Sequence, residues 1–184
     1  PLIEGDDVSE QLSRTAEALR WIRDEVVERM NAGMSEGDIL ADITFPDDLF
    51  DRPWMRPTYG APDYIVRDVY REENGWWDRN PTTLHPAPPA DAAAAVLSAI
   101  TDPQAVLDRA RALADDGNTQ LALHVVDLLA LGHGDEPVVA AARTLKAELC
   151  QARANEIDPY VSTSCYRSSA RLLATGPANW QRFS

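Results

Sequence analysis

The fold is decided by residues 102–134, which read DPQAVLDRARALADDGNTQLALHVVDLLALGHG. Apolar residues recur there every three or four positions, which is the period of a helix with one buried face. Asp102-Pro103 is typical of a helix start, and Asp116-Gly117-Asn118 is typical of a helix end. The segment therefore predicts two helices joined by a short turn.

The same pattern continues on both sides of this segment. Pro137 repeats the Asp-Pro type of start 34 positions after Pro103, an offset that resembles a tetratricopeptide (TPR) helix hairpin. Further helices are predicted at residues 92–100 and from Asp158-Pro159 toward Leu173. Because one or one and a half such units cannot form a solenoid, we expect residues 90–184 to be a TPR-like portion of a larger helical domain.

Residues 1–51 are expected to form the opening helices. An apolar stripe predicts a helix over residues 7–30, and Asp7 with Glu10 has the spacing of a capping box. Ser35 and Asp38 have the same spacing ahead of a second, shorter helix. No segment shows the apolar-polar alternation of a β-strand. The predicted fold class is all-α, with a TPR-like helical-hairpin portion.

Residues 52–89 are rich in proline and aromatic residues. They predict a helix over residues 64–73 capped by Asp63, followed by an irregular loop over residues 74–89. Trp76 and Trp77 would expose much aromatic area in a free linker, so we expect this loop to be packed. Two interpretations stay open: a small separate core under a long loop, or a contact surface, since Trp, Tyr and Arg anchor interfaces.

Composition excludes several classes of function. The chain has 184 residues, and 17 basic against 30 acidic side chains give a net charge of −13. Such a charge repels phosphate backbones, so we expect no nucleic-acid partner. An uninterrupted apolar run of about 18 residues is lacking, so we expect no membrane span. Two cysteines are too few for a disulfide scaffold, which favours a cytoplasmic location.

The residues carry no recognisable catalytic motif. His85, His124 and His133 have no metal-ligand spacing, and no Gly-x-Ser-x-Gly, Walker loop or Gly-x-Gly-x-x-Gly occurs. On the residues alone, we expect a helical module without catalytic machinery of its own.

Three blocks of the aromatic region carry a family resemblance. They are Arg56-Pro57-Thr58-Tyr59-Gly60, then Val66-Arg67-Asp68-Val69-Tyr70, then Gly75-Trp76-Trp77-Asp78-Arg79-Asn80-Pro81. Together they resemble the alkyl sulfatase dimerisation domain, whose last block runs roughly Gly-Trp-Phe-Asp-Gly-Asn-Pro. In that family this helical domain follows the zinc-binding core of alkyl sulfatases of the metallo-β-lactamase superfamily. The resemblance extends over nearly the whole chain, residues 1–184.

The resemblance implies that this chain pairs subunits and that a separate domain carries out catalysis. The chain would pair two subunits into a homodimer, with helix 8–31 and the hairpins of 103–155 at the contact. It would also lie against the parent's own metallo-β-lactamase-like domain, with Tyr59, Tyr64, Arg67 and Trp76 at the rim of the active site. Zinc and its ligands would belong to that domain, upstream of Pro1, so the resemblance implies that the chain is a fragment of a zinc-dependent hydrolase.

One departure from the family pattern concerns the substrate. Where the family has Ser-His-Asn, this sequence has Asp63-Tyr64-Ile65. A tyrosine hydroxyl can donate a hydrogen bond, but it is a poorer acid than imidazolium at neutral pH. A sulfate ester, another ester, a thioester and a lactone therefore all stay open as substrates. The alternative hypothesis is a free-standing TPR-like module that binds a partner peptide through residues 103–155.

Overall fold

A computed structural model describes residues 4–132 and 136–175, which form ten α-helices, one 3-10 turn and no β-strand. The predicted all-α fold class is thus confirmed. The helices are α1 (Asp6–Asn31), α2 (Glu36–Asp42), α3 (Asp47–Phe50), α4 (Pro62–Asn74), α5 (Pro81–Leu84), α6 (Pro89–Ser98), α7 (Pro103–Asp115), α8 (Thr119–Ala130), α9 (Pro137–Glu156) and α10 (Tyr160–Ala174). The 3-10 turn, Pro53–Met55, lies between α3 and α4.

The chain divides into two compact units, Pro1–His85 and Pro86–Ser184. The boundary falls inside segment 52–89, which differs from the rest of the sequence by its many proline and aromatic residues. Residues 1–3 and His133, on which sequence-based expectations also fell, lie outside the described residues. In the described part of the chain, no helix is both long and apolar enough to cross a membrane.

The first unit is built around the contact of α1 with α4. Ile22 and Val26 of α1 are fully buried in one cluster with Ile39 of α2 and Val66 and Tyr70 of α4. Beside it, three aromatic rings pack edge to face or tilted, with centroids 5.1 to 5.9 Å apart: Trp21, Phe45 and Phe50. Apolar burial of this kind is the main stabilising term for a unit of this size.

Of the three helix caps predicted in the first unit, the structure confirms one and contradicts two. Ser35 accepts from the backbone of Asp38, and the Asp38 carboxylate accepts from Ser35, so the predicted capping box is confirmed. The box at Asp7 is wrong, because α1 begins at Asp6 behind Gly5 and Asp7 lies inside the first turn. Asp63 is likewise not the cap of α4, since Pro62 already occupies the first helical position.

The second unit consists of α6 to α10. Consecutive helices from α7 onward pack on one another, and the three-residue connection between α7 and α8 makes these two a hairpin. Leu107, Val126, Leu129 and Ala142 are buried in their shared core. Asp102 caps α7 as predicted, accepting from the backbone of Ala105. The relation to a tetratricopeptide repeat stays a prediction.

The corner between α8 and α9 depends on a buried cation and a glycine. The Arg143 guanidinium donates to the carbonyl oxygens of Ala130 and Gly132, which end α8 and have no helical partner of their own. At Gly132 a Cβ would lie 2.9 Å from the Leu129 carbonyl oxygen and 3.2 Å from Val139 Cγ2. A larger residue at that position would therefore push α8 and α9 apart.

Candidate functional site

The first unit contains an open, mainly apolar cleft of about 320 Å³ along α1, called here the α1 cleft. One wall is α1 and the other is the irregular chain that leads from α3 into α4. Pro57 lies in that chain outside any helix, whereas Pro53 begins the 3-10 turn and Pro62 begins α4, where the N–H that proline lacks is not needed. The lining residues are Thr15, Ala18, Leu19, Ile22, Phe50, Trp54, Met55, Arg56, Pro57, Gly60, Ala61, Pro62, Tyr64 and Ile65.

Two of the predicted rim residues belong to this end of the molecule. Tyr64 lies in the first turn of α4 and lines the α1 cleft, half-buried. A Cβ on Gly60 would lie 3.5 Å from the Tyr64 ring, so the ring packs over the backbone there. Tyr59 stands outside the lining of the cleft and is 71% exposed. The cleft therefore brings Tyr64 together with Arg56, and Tyr59 projects beside it.

Trp76 belongs to a second cleft, of about 360 Å³, called here the α2–α4 cleft. It lies between the start of α2 and the end of α4. Its lining residues are Ser35, Glu36, Gly37, Tyr70, Arg71, Gly75, Trp76, Trp77 and Asp78. Trp76 is 77% exposed, so the expectation that the tryptophan pair is packed is wrong for this residue. Trp77 is half-buried.

The loop that presents Trp76 is held by a dense set of hydrogen bonds. The Trp77 indole N–H donates to the Asn80 carbonyl at 3.0 Å, and the Asn74 amide donates to the Trp77 carbonyl at 2.6 Å. Asp78 accepts from the Thr83 hydroxyl and the Asn80 backbone, and the Thr83 bond is the main reason that the pKa of Asp78 is lowered. The loop is therefore anchored although Trp76 itself is exposed.

Arg67 of α4 forms an ion pair with Glu36 of α2. Its Nη1 lies 2.5 Å from Oε1 of Glu36, and Glu36 lines the α2–α4 cleft. Both side chains are partly exposed. The structure thus places Tyr64 in the α1 cleft, Trp76 in the α2–α4 cleft, and Arg67 in an ion pair with a residue that lines the second of these. It does not gather them into a single cleft, since Tyr64 and Trp76 line different ones.

The described residues offer no metal centre. Within residues 4–132 and 136–175, no group of three or more His, Cys, Asp and Glu side chains could hold a metal ion. His85 and His124 are both exposed, and neither cysteine forms a disulfide. These residues do not fit a zinc site.

The comparisons with known proteins identify the family. A profile described as alkyl sulfatase dimerisation matches residues 35–176, a range that includes α2 to α10 in full. The chain belongs to the alkyl sulfatase dimerisation family. The resemblance seen in the sequence is thereby confirmed, and none of the comparisons supports the alternative of a TPR-like adaptor.

Relatives and solved structures agree with this assignment. The chain is 27% identical over 177 residues to an (R)-specific secondary-alkylsulfatase of Pseudomonas sp., covering 96% of this chain and 26% of that protein. It is 26% identical over 169 residues to an alkyl/aryl-sulfatase of Saccharomyces cerevisiae, covering 92% and 26%. The stereoselective inverting sec-alkylsulfatase from Pseudomonas sp. superposes with a TM-score of 0.81 at 27% identity, covering 97% of this chain and 28% of that one. The chain spans about a quarter of the length of these relatives.

One partner in the site was missed by reasoning from the sequence. Glu36 lies 31 positions before Arg67, and no local signal joins α2 to α4. The acidic residues near Arg67 in sequence would have been the natural candidates. Only the packing of the two helices shows which carboxylate binds the guanidinium.

Proposed function

We propose that this chain pairs the subunits of an alkyl-sulfatase-like hydrolase of the metallo-β-lactamase superfamily. The observation that carries the proposal is the family match over residues 35–176, together with relatives named alkylsulfatases of which the chain spans about a quarter. The zinc ligands of such an enzyme would lie in the rest of the protein.

The second part of the proposal concerns the rim of that enzyme's active site. Tyr59, Tyr64, Arg67 and Trp76 would face the catalytic domain from one side of the first unit. A guanidinium binds a sulfate through two parallel hydrogen bonds, which is the role we assign to Arg67. Tyr64 would donate a hydrogen bond to an oxygen of the substrate. Trp76 would cover apolar area of the substrate or of the neighbouring domain.

Sedimentation equilibrium of the 184-residue chain tests the pairing. A dimer whose mass does not change over a broad concentration range would support the proposal. A monomer at every concentration would contradict it. The same sample, with zinc added, should not hydrolyse an alkyl sulfate, because catalysis is assigned to another domain. Turnover by this chain alone would refute that assignment.

The rim role is tested in the enzyme that joins this chain to its catalytic domain. Arg67→Gln should lower kcat/KM for an alkyl sulfate by about tenfold to a hundredfold, the loss expected for one charge-assisted pair with the substrate. Arg111→Gln is the matched control, since Arg111 of α7 is similarly exposed, also forms an ion pair with a carboxylate, Asp108, and lines neither of the two clefts. Equal losses in both variants would mean that Arg67 has no special position at the rim.

A further inference from the structure

Arg79 has a backbone conformation that is unusual for its residue type. Its φ of 67° lies in the left-handed region, which favours glycine because a Cβ is strained there. Among the described residues it is the only residue other than glycine with a positive φ. A strained residue on an exposed loop is a reason to look for a function of its side chain.

The Arg79 side chain is held against the end of α4. Its Nε donates to Oδ1 of Asn74 at 2.9 Å, and the Asn74 amide in turn donates to the Trp77 carbonyl. This bond orients the guanidinium and leaves its terminal nitrogens pointing away from Asn74. Such nitrogens bind a planar anionic group through two parallel hydrogen bonds.

Asn74 brings this guanidinium into line with two others. Arg67, Arg71 and Asn74 are spaced i, i+4 and i+7 along α4, so they lie on one face of the helix. Seven residues of helix span about 10 Å. With Arg79 held at Asn74, the guanidiniums of Arg67, Arg71 and Arg79 follow one another along this face, and they are called here the arginine row.

Two members of the arginine row have no carboxylate partner. Arg67 is paired with Glu36, whereas no ion pair within residues 4–132 and 136–175 includes Arg71 or Arg79. Both of these side chains are exposed. In a chain with a net charge of −13, two neighbouring guanidiniums without a carboxylate indicate a local surface that attracts an anion.

The carboxylates at this end of α4 have other partners. Glu72 and Glu73 are both paired with Arg23 of α1. The Asp78 carboxylate accepts from the Thr83 hydroxyl. These three acids therefore do not occupy the place that an anion would take beside the arginine row.

An exposed apolar surface lies beside the same guanidiniums. Trp76 and Arg71 both line the α2–α4 cleft of about 360 Å³. Trp76 is 77% exposed, although hydrogen bonds anchor the loop that presents it. An exposed indole next to unpaired guanidiniums fits a ligand with an apolar body and an anionic end.

We propose that the substrate of this hydrolase carries a carboxylate in addition to its ester group, and that Arg71 and Arg79 bind this carboxylate while Trp76 covers the apolar part of the substrate. The inference rests on the proposed function, in which Arg67 binds the sulfate. The length of the arginine row, about 10 Å, would then separate the two anionic groups. Arg71 and Arg79 are thus specificity-determining residues.

Two substrates test the inference in the enzyme that joins this chain to its catalytic domain. One is a linear alkyl sulfate that ends in a carboxylate, and the other is the same alkyl sulfate ending in a methyl group. The kcat/KM of the parent enzyme should be about a hundredfold higher for the carboxylate-ended substrate, which is about tenfold for each charge-assisted pair with a guanidinium. This ratio of the two kcat/KM values is the quantity that the variants should change.

Arg79→Gly tests the arginine whose backbone is strained. The variant should lower the ratio about tenfold, because one charge-assisted pair is lost. Glycine adopts a φ of 67° without strain, so the temperature of thermal unfolding should be no lower than that of the parent. Arg71→Gln should lower the ratio in the same way. Arg111→Gln is the control that should leave the ratio unchanged, since Arg111 lies on α7 and lines neither cleft.

The outcomes separate this inference from the proposed function. If the methyl-ended sulfate is hydrolysed and the parent ratio is near one, the second anionic group is wrong and the hydrolase stands. Equal losses for both substrates in Arg79→Gly would mean that this guanidinium contacts the neighbouring domain, which also refutes the inference. A lower unfolding temperature with an unchanged ratio would make Arg79 a structural residue and refute it as well. If neither substrate is hydrolysed, the proposed function fails, and this inference fails with it.

Discussion

Arg67 and Glu36 form an ion pair that joins α4 to α2, with 2.5 Å between the guanidinium Nη1 and the carboxylate Oε1. Glu36 also lines the cleft that contains Trp76. The pair holds Arg67 in one position and neutralises the charge that we propose it offers to a sulfate. Under the proposed role of Arg67, Glu36 would compete with an anionic substrate for the same guanidinium.

Glu36→Gln should separate these two effects. The pair is partly exposed, so its loss should lower the free energy of unfolding by less than about 1 kcal/mol. In the enzyme joined to its catalytic domain, KM for an alkyl sulfate should fall several-fold, because Arg67 is released to bind the sulfate. Glu72→Gln is the control, since Glu72 is an exposed acid of α4 that pairs with Arg23 instead. An unchanged KM in Glu36→Gln would count against sulfate binding by Arg67.

Ser35→Ala should remove the capping box of α2. An N-cap serine contributes about 1 kcal/mol, so we expect a loss of that size in urea unfolding at pH 7. The Ser35 hydroxyl is also the main cause of the lowered pKa of Asp38. The pKa of Asp38 should therefore rise in the variant, as measured by NMR titration of its carboxyl carbon. A pKa that does not move would show that the Ser35–Asp38 bond is absent in solution.

The capping boxes show which parts of the fold could be predicted. Ser35 and Asp38 lie three positions apart, so both partners of the motif are visible in the sequence. Asp7 and Glu10 have the same spacing but no box, since Gly5 holds the cap position and α1 starts one residue earlier than predicted. Local spacing predicts that a helix exists, and the exact start depends on backbone geometry that spacing does not determine.

Less of the candidate site than of the fold could be predicted from the sequence. Tyr64 and Arg67 could be placed on one helix from their spacing, and their proposed role came from a family resemblance. That Trp76 lies in a different cleft from Tyr64 depends on how α2 packs against α4. Its exposure also ran against the expectation of burial, because the hydrogen bonds of the loop, and not the Trp76 ring, hold that loop in place.

Thr119→Val should lower the free energy of unfolding, and the loss relative to the parent chain should be larger at neutral pH than in acid. The buried Thr119 hydroxyl donates to Glu156 at 2.5 Å and is the main cause of the lowered pKa of that carboxyl, followed by Arg153. A lowered pKa in the folded state means that this stabilisation is present above the ordinary range of a glutamate. It is lost as the pH falls through the lowered value.

Urea unfolding at pH 7 and at pH 3 checks this expectation. At pH 7 Thr119→Val should lower the free energy of unfolding by about 1 kcal/mol. This is the contribution expected of a charge-assisted hydrogen bond that is weakened by the partial exposure of Glu156. The difference from the parent chain should shrink at pH 3. Glu148→Gln is a suitable control, since Glu148 is an exposed glutamate of the same helix, α9. A cost that is equal at both pH values would indicate a packing effect of the substitution and not the loss of the Glu156 bond.

Leu129→Ala and Leu128→Ala test the core of the second unit with neighbours on one helix. Leu129 of α8 is fully buried in the shared core of the second unit, whereas its neighbour Leu128 is 46% exposed. Truncating a buried leucine loses its transfer free energy and leaves a cavity, so Leu129→Ala should cost about 3 kcal/mol. Leu128→Ala should cost less than about 1 kcal/mol. Because both changes remove the same atoms from the same helix, similar losses would mean that Leu128 is also covered in solution, by a surface that meets α8 from outside the second unit's core.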